Sequence, residues 1–381
     1  MPTSKIITRD FIFAFLAQFA FSSALFILIP TLPIYLSRLK SPETEIGILI
    51  GVSSVSSLVI RPFVGRALLR ISERNFMLGG AFLFTFSSIA YLFASPFWPL
   101  FIVRVFQGIG FALFFTASTT LIANISPEDR RVQSIGYFLL TSNIAFALVP
   151  SFGMFLINRF SFTILFGFCT VVSLGSLYLT TRLEKREVVP LDDTSPVDRS
   201  FLSRKALPPS IIGFFTHIIW GAITAFFPLY AINQGVKNPG PFFATFAVMV
   251  ILGRALGGRI LDLYSREKII FPCLMTLIIS MIILAFSKTL PMFILAAIIW
   301  GIGNAFLFPT LVAYAIDLAG PSRGPALGTF TAFCDLGVGL GAVIMGIILR
   351  WTNYRVMFLC LAFVGVIDFL YFNFFVRKRR V

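Results

Sequence analysis

Charge is scarce in this chain. Only 12% of its 381 residues are Asp, Glu, Lys or Arg, about half the fraction usual in a water-soluble domain. Histidine is almost absent, with His217 alone, and cysteine is limited to Cys169, Cys273, Cys334 and Cys360. All four cysteines fall inside apolar runs without a Cys-x-x-Cys spacing, so neither a disulfide framework nor a thiolate zinc site is indicated. They are read as small packing residues. No G-x-x-x-x-G-K-[ST] segment occurs, which excludes ATP as an energy source. One histidine and no clustered ligand set or nucleophile dyad leave catalysis little to work with. Neither an enzyme nor a bound cofactor or metal is expected.

What is abundant is hydrocarbon. The chain is 57% hydrophobic with 47 phenylalanines, and its mean hydropathy is +0.92. Exposed apolar surface on this scale would aggregate in water, so lipid is the solvent of the exterior and the protein is integral to a membrane. A net charge of +15 on a soluble protein would point to nucleic acid. Here the cations follow the connections between apolar runs, and no nucleic-acid partner is expected. The first run, near 11 to 36, is too long for the apolar core of a signal peptide and has no small-x-small cleavage site, so it is read as a retained helix.

A hydrocarbon core of about 30 Å takes about 20 apolar residues per helix. Twelve such runs lie near 11–36, 46–69, 76–95, 99–124, 134–157, 160–181, 210–232, 240–262, 269–287, 290–318, 324–349 and 354–376. The fold class read from them is an all-α membrane protein of twelve transmembrane helices. The long polar interruption after residue 181 divides it into six and six: a bundle over 1–181, a linker over 182–209 and a second bundle over 210–381. With the N-terminus inside, 21 of the 31 Lys and Arg residues fall in cytoplasmic segments, seven in external ones and three within helices. That asymmetry places both termini in the cytoplasm of a multi-pass inner or plasma membrane protein. The closing Arg377, Lys378, Arg379 and Arg380 are read as a membrane-flanking stop rather than a nuclear signal.

The two halves resemble each other. LVIRPFVGRALLR (58–70) lies over VILGRALGGRILDL (250–263), pairing Arg61 with Arg254 and Gly65 with Gly258. QGIGFA (107–112) lies over WGIGNA (300–305), and SIGYFLLTSN (134–143) over ALGTFTAFCD (326–335). PIYL at Pro33 matches PLYA at Pro228. Four matches in one order indicate duplicated six-helix bundles, the arrangement of a rocking secondary transporter. Pro33 and Pro228 are expected to bend the far ends of the first and seventh runs.

At these residues the chain resembles the major facilitator superfamily, over nearly its whole length. RVFQGIGFA, Arg104 to Ala112, is similar to that family's fourth-helix R-x-x-Q-G-x-G-x-A motif. GRALLRISERN stands where the family has G-x-x-x-D-R-x-G-R-R; Gly65, Arg70 and Arg74 fit, while Leu69 replaces the acidic residue and Ser72 the second glycine. The fifth-helix G-P-x-x-G pattern of exporters survives only as Pro150 and Gly153. The resemblance implies a drug- or sugar-efflux type of transporter with Arg104 facing a central cavity and Gln107 sharing its face; the alternative for Arg104 is snorkelling to the interface. It also implies that His217 and Trp220 of the seventh helix and Asn304 of the tenth line the cavity, with hydrogen-bonded packing the competing role for His217.

Uphill transport needs a group whose charge differs between access states. Asp335 and Asp368 are the carboxylates well inside the hydrocarbon. In the family the second and eleventh helices face each other, so Arg61 and Asp335 are expected to form a latch that a proton weakens, or else a static structural pair. The repeat-related Arg254 and Asn143 would be insensitive to pH. Asp262 is expected to hold the start of the fifth helix as an inner gate, a task Leu69 cannot perform in the other half. Asp368, in a helix that is peripheral in the family, is expected to snorkel or to meet the basic tail. The function expected is proton-coupled efflux of a small amphipathic compound by a monomer, its partners being that substrate, protons and the bilayer. The alternatives are an importer or facilitator, a lysolipid flippase and, last, a membrane-embedded enzyme.

Overall fold

The computed structural model describes residues 7–68, 70–94, 97–127, 131–185, 203–319 and 323–377; for 131–133, 256–263, 319 and 323–325 it describes the backbone. The elements are α1 (Arg9–Phe26), α2 (Leu28–Arg38), α3 (Glu43–Ala67), α4 (Glu73–Ala90), α5 (Trp98–Ile125), α6 (Arg131–Arg159), α7 (Phe162–Thr181), α8 (Leu207–Asn233), α9 (Gly240–Leu263), α10 (Arg266–Phe286), α11 (Leu290–Ala319), α12 (Arg323–Trp351) and α13 (Tyr354–Tyr371), the last running into a π-turn over Phe372–Val376. There is no strand among the described residues. Each of the twelve apolar runs is helical, α1 and α2 together forming the first. Ten of the described segments are long and apolar enough to cross a bilayer, and α9 adds a shorter apolar stretch, Gly240–Ala255. Large apolar side chains such as Phe63, Phe82, Phe93, Val171 and Phe363 stand exposed, as expected where lipid surrounds the helices.

Local chemistry sets the helix ends. Thr8 caps α1 by accepting from Phe11 N at 3.2 Å, Ser161 caps α7 through Ile164 N at 3.3 Å, and Asn353 caps α13 through Val356 N at 3.1 Å; each satisfies one of the orphan donors of a first turn. The break between α1 and α2 falls at Ile27. Its cause is Pro30, which has no N–H for the Phe26 carbonyl and whose ring crowds that carbonyl. The interruption therefore sits one turn before Pro30, ahead of the expected bend at Pro33, which lies within α2. Helix α8 continues past Pro228 to Asn233.

The helices pack into two units: Met1–Thr31 with Val55–Ser195, and Leu32–Ser54 with Pro196–Val381. Residues 32–54, from the first half of the sequence, thus pack within the second unit. In the first unit, Phe21 stacks on Phe114 with ring centroids 4.1 Å apart and meets Phe84 at 4.6 Å. Around these rings, α4 and α5 cross at a pair of glycines: a Cβ on Gly80 would stand 2.7 Å from Gly110 O. Polar side chains tie the bundle, with Ser176 Oγ donating to Ala17 O at 2.9 Å and Asn124 Nδ2 to Glu73 Oε1 at 2.6 Å.

The second unit is organised around α12. A Cβ on Gly337 would collide with Phe214 O, one on Gly341 with Ile218 O, and one on Gly221 with Val338 O. The same helix meets α3, where Gly51 would present its Cβ 2.6 Å from Gly339 O and Gly346 its own 2.6 Å from Glu43 O. In lipid, where apolar helices gain little from leaving their solvent, association relies on this kind of close backbone approach.

Gly341→Val therefore forces backbone from backbone along α8 and α12, an overpacking that costs about 1–3 kcal/mol. The apparent melting temperature in detergent is expected to fall clearly for Gly341→Val and to stay at the wild-type value for Gly328→Ala on the same helix, where no atom lies within 4 Å of an added Cβ.

Candidate functional site

Arg104, on α5, is 7% exposed and Gln107 1%. The Arg104 Nη1 donates to Gln107 Oε1, one turn on, and the same oxygen accepts from Tyr91 OH at 2.8 Å. Tyr91 stacks on Phe166 of α7 at 5.1 Å. The guanidinium is thus drawn into a node joining α4, α5 and α7 within the first unit. This corrects the snorkelling alternative: Arg104 is held by its own helix and a neighbour, because Gln107 and Tyr91 offer it hydrogen-bonding surroundings inside the bundle.

A second polar node was not singled out from the sequence. Gln18 on α1, 1% exposed, accepts from Ser118 Oγ of α5 at 2.9 Å and donates to Ser22 Oγ at 3.1 Å and Ser142 Oγ of α6 at 3.2 Å. The signal available was a glutamine and a serine at i and i+4 inside the first apolar run, which share a helix face.

In the second unit, His217, Trp220 and Asn304 come together. Helices α8 and α11 run antiparallel, so Trp220 meets Trp300 with ring centroids 5.4 Å apart and His217 meets Phe308 at 5.9 Å. Asn304 lies midway between Trp300 and Phe308 at i+4 spacing and so shares their stripe. Phe246 of α9 closes the wall, 5.3 Å from Trp220 and 4.4 Å from Trp300. His217, Trp220, Asn304 and Phe308 are half-buried. His217 Nδ1–H donates to Gly213 O at 2.7 Å, since a carbonyl can only accept; in the neutral ring Nε2 remains an acceptor. Asn304 has no hydrogen bond among the described residues. The buried Trp300 Nε1–H likewise lacks an acceptor. An aromatic wall carrying a few unsatisfied polar groups is the composition of a small-molecule site.

The coupling candidates divide between the units. Arg61, half-buried on α3, donates from Nε to Ser57 Oγ at 3.2 Å and lies over the Phe111 ring at 5.5 Å in the first unit. Asn143, half-buried on α6, belongs to the same unit. Asp335, half-buried on α12, and Arg254, half-buried on α9, belong to the second, and Arg254 Nε has no hydrogen-bond partner there. The Asp262 side chain and Leu69 lie outside the described residues. Asp368 departs from expectation. It is 1% exposed, with Oδ2 accepting from Thr216 Oγ1 of α8 at 3.3 Å and Oδ1 without a partner among the described residues. The reason is its register: Gly365, three residues earlier, packs a Cβ position 2.9 Å from Ile278 of α10, and i+3 places Asp368 on that inward face.

The chain matches the family model described as "Major Facilitator Superfamily" over residues 14–253 and 240–381. It is 27% identical over 364 residues to the staphylopine export protein of Staphylococcus aureus, covering 92% of this chain and 91% of that one. It is 24% identical over 333 residues to the quinolone resistance protein NorA of the same species, covering 84% of each. Among solved structures it resembles a POT family transporter bound to 5-aminolevulinic acid, with a TM-score of 0.83 at 13% identity over 97% of this chain and 96% of that one. It also resembles the nucleoside transporter NupG, with a TM-score of 0.77 at 14% identity over 96% and 99%.

Gln107→Met removes a charge-assisted hydrogen bond together with the acceptor of Tyr91, and is expected to destabilise the protein by about 1.5–3 kcal/mol. Tyr91→Phe deletes one membrane hydrogen bond, worth about 0.6 kcal/mol and at most about 1.7. Thermal unfolding in detergent checks the order; equal losses would mean that the Arg104 charge does not depend on Gln107.

Proposed function

The chain belongs to the major facilitator superfamily, and from that premise we propose that this membrane transporter exports a small amphipathic compound by alternating access in exchange for protons. The observation that carries the reading is the α8–α11 face: the half-buried rings of Trp220 and Phe308 with the Asn304 amide and the His217 Nε2 left for a ligand. Flat apolar surface with a few polar groups suits a substrate that is itself part ring and part polar. Substrate contacts are assigned to His217, Trp220 and Asn304. Arg104 and Gln107 hold α4, α5 and α7 together. That one relative is a staphylopine export protein and another a quinolone resistance protein supports the outward direction. The distribution of Lys and Arg supports cytoplasmic termini.

Asp335 is the proposed proton carrier. It stands two residues before Gly337, whose Cα packs against Phe214 O and 3.1 Å, by its Cβ position, from the His217 Cβ. A proton on Asp335 removes a charge from low dielectric and changes what α12 prefers to face. Because α12 and α8 touch backbone to backbone, a movement of one carries the other, and with it His217 and Trp220. Coupling then follows from the different substrate affinity of the two states.

Purified protein in liposomes with an imposed pH gradient, offered drugs, sugars, siderophores and lysolipids, tests this. Protons entering against the substrate's direction are expected to accelerate its flux. Trp220→Ala is expected to weaken substrate binding by about 2- to 12-fold, the worth of one aromatic contact. Asp335→Asn is expected to fold normally and to lose its response to the gradient. Wild-type flux indifferent to the gradient would replace exchange by facilitated movement, and a gradient response retained in Asp335→Asn would remove that residue from the coupling.

A further inference from the structure

A cavity of about 270 Å³ opens where α8 and α10 end and α13 begins, lined by Tyr230, Asn233, Gln234, Phe286, Ser287, Lys288, Asn353, Tyr354 and Arg355 among others. It lies apart from the aromatic face, wholly in the second unit. Its floor is fixed: Tyr230 OH donates to Leu284 O at 3.1 Å and to Ser287 O, and its ring packs on Tyr354 at 5.3 Å and Phe358 at 5.0 Å. Two cations meet there. The Arg355 guanidinium is set over the Phe286 ring at 5.1 Å. Lys288 follows Phe286 by two residues.

Both cations are exposed, and no carboxylate pairs with either among the described residues. Glu43, which does not line the cavity, acts electrostatically on Tyr354 and tempers the positive charge that Lys288 and Arg355 give the cavity. The first turn of α13 adds to it. Asn353 takes the Val356 N–H, leaving the Tyr354 and Arg355 N–H groups without intrahelical acceptors at the positive end of an 18-residue helix. Trp351, which ends α12, is 77% exposed at this same end, where an indole marks the headgroup layer.

We propose that this cavity binds an anionic phosphodiester or phosphomonoester group. A planar guanidinium fork and an ammonium are the pair suited to phosphate oxygens, and the Asn233 and Gln234 amides can hold the hydroxyl or ester oxygens beyond it. At headgroup depth on the external side, where the distribution of Lys and Arg puts this end of the helices, one source of this chemistry is an anionic phospholipid; a soluble phosphoester is the other. Occupancy would brace the ends of α8, α10 and α13 against one another.

The test is thermal stability of the purified protein in a neutral detergent, titrated separately with dihexanoyl phosphatidylglycerol, dihexanoyl phosphatidylcholine and glycerol 3-phosphate. A ligand of the folded state raises the melting temperature with concentration. The expected result is a saturable rise with the phosphatidylglycerol and little with the phosphatidylcholine, its apparent affinity falling at least tenfold in the Lys288→Gln/Arg355→Gln double variant. A rise with glycerol 3-phosphate that the double variant loses equally supports the site with a soluble ligand. Lys288→Gln alone, an exposed change that touches no packing, is expected to weaken binding by several-fold. No rise with any of the anions, or a rise unchanged in both variants, overturns the proposal.

Discussion

The second unit depends on α12 having almost no side chain where it meets its neighbours. Gly337 and Gly341 bring it onto the α8 backbone, and Gly339, with Gly51 opposite, onto α3. Dispersion between closely approaching backbones is the attraction available to helices in lipid, where withdrawing a leucine from acyl chains gains nothing. The interior of the bundle is as dense as any protein core, so α8 is placed by α12 to within the width of a methyl group. That placement in turn sets Trp220 and His217 against Trp300 and Phe308 of α11. The aromatic face is a consequence of where the α12 contacts place α8.

The first unit solves a different problem. Its buried polar side chains are more numerous, and each must find a partner where there is no water. Two clusters join several helices, one around Gln18 on α1, α5 and α6 and one around Arg104 on α4, α5 and α7. Helix α5 enters both. A polar cluster is directional in a way that apolar packing is not, so α5 is fixed in rotation as well as in position. The glycine crossing at Gly80 and Gly110 sets its distance from α4.

Much of the architecture was legible from the chain alone, because a bilayer converts hydropathy into helix length with few exceptions. All twelve runs became helices. The partners of polar side chains were harder to read. Arg104 was recognisable as an intramembrane charge, but its acceptor is shared with Tyr91, sixteen residues from Gln107 and on another helix, a relation that no spacing announces. Asp368 was misplaced because a helix counted as peripheral still has one inward face, and the rotation of α13 is set by Gly365 against α10. The break at Ile27 was not read from the chain; it falls beside Phe26, the carbonyl four residues before Pro30, on which that proline acts. Trp300 was overlooked: it sits beside Asn304 in sequence, yet its place in the wall depends on α8 and α9.

The commitment of α12 to two neighbours at backbone distance also bears on how such a protein can diversify. Any residue larger than glycine at Gly337 or Gly341 meets main-chain atoms, so those positions have little freedom to drift. Helix α11 is less constrained along its Trp300, Asn304 and Phe308 stripe, where side chains face other side chains. A lineage adapting to a new cargo therefore has its room for change on α11 and on the ring-bearing positions of α8, while α12 stays nearly fixed as their frame.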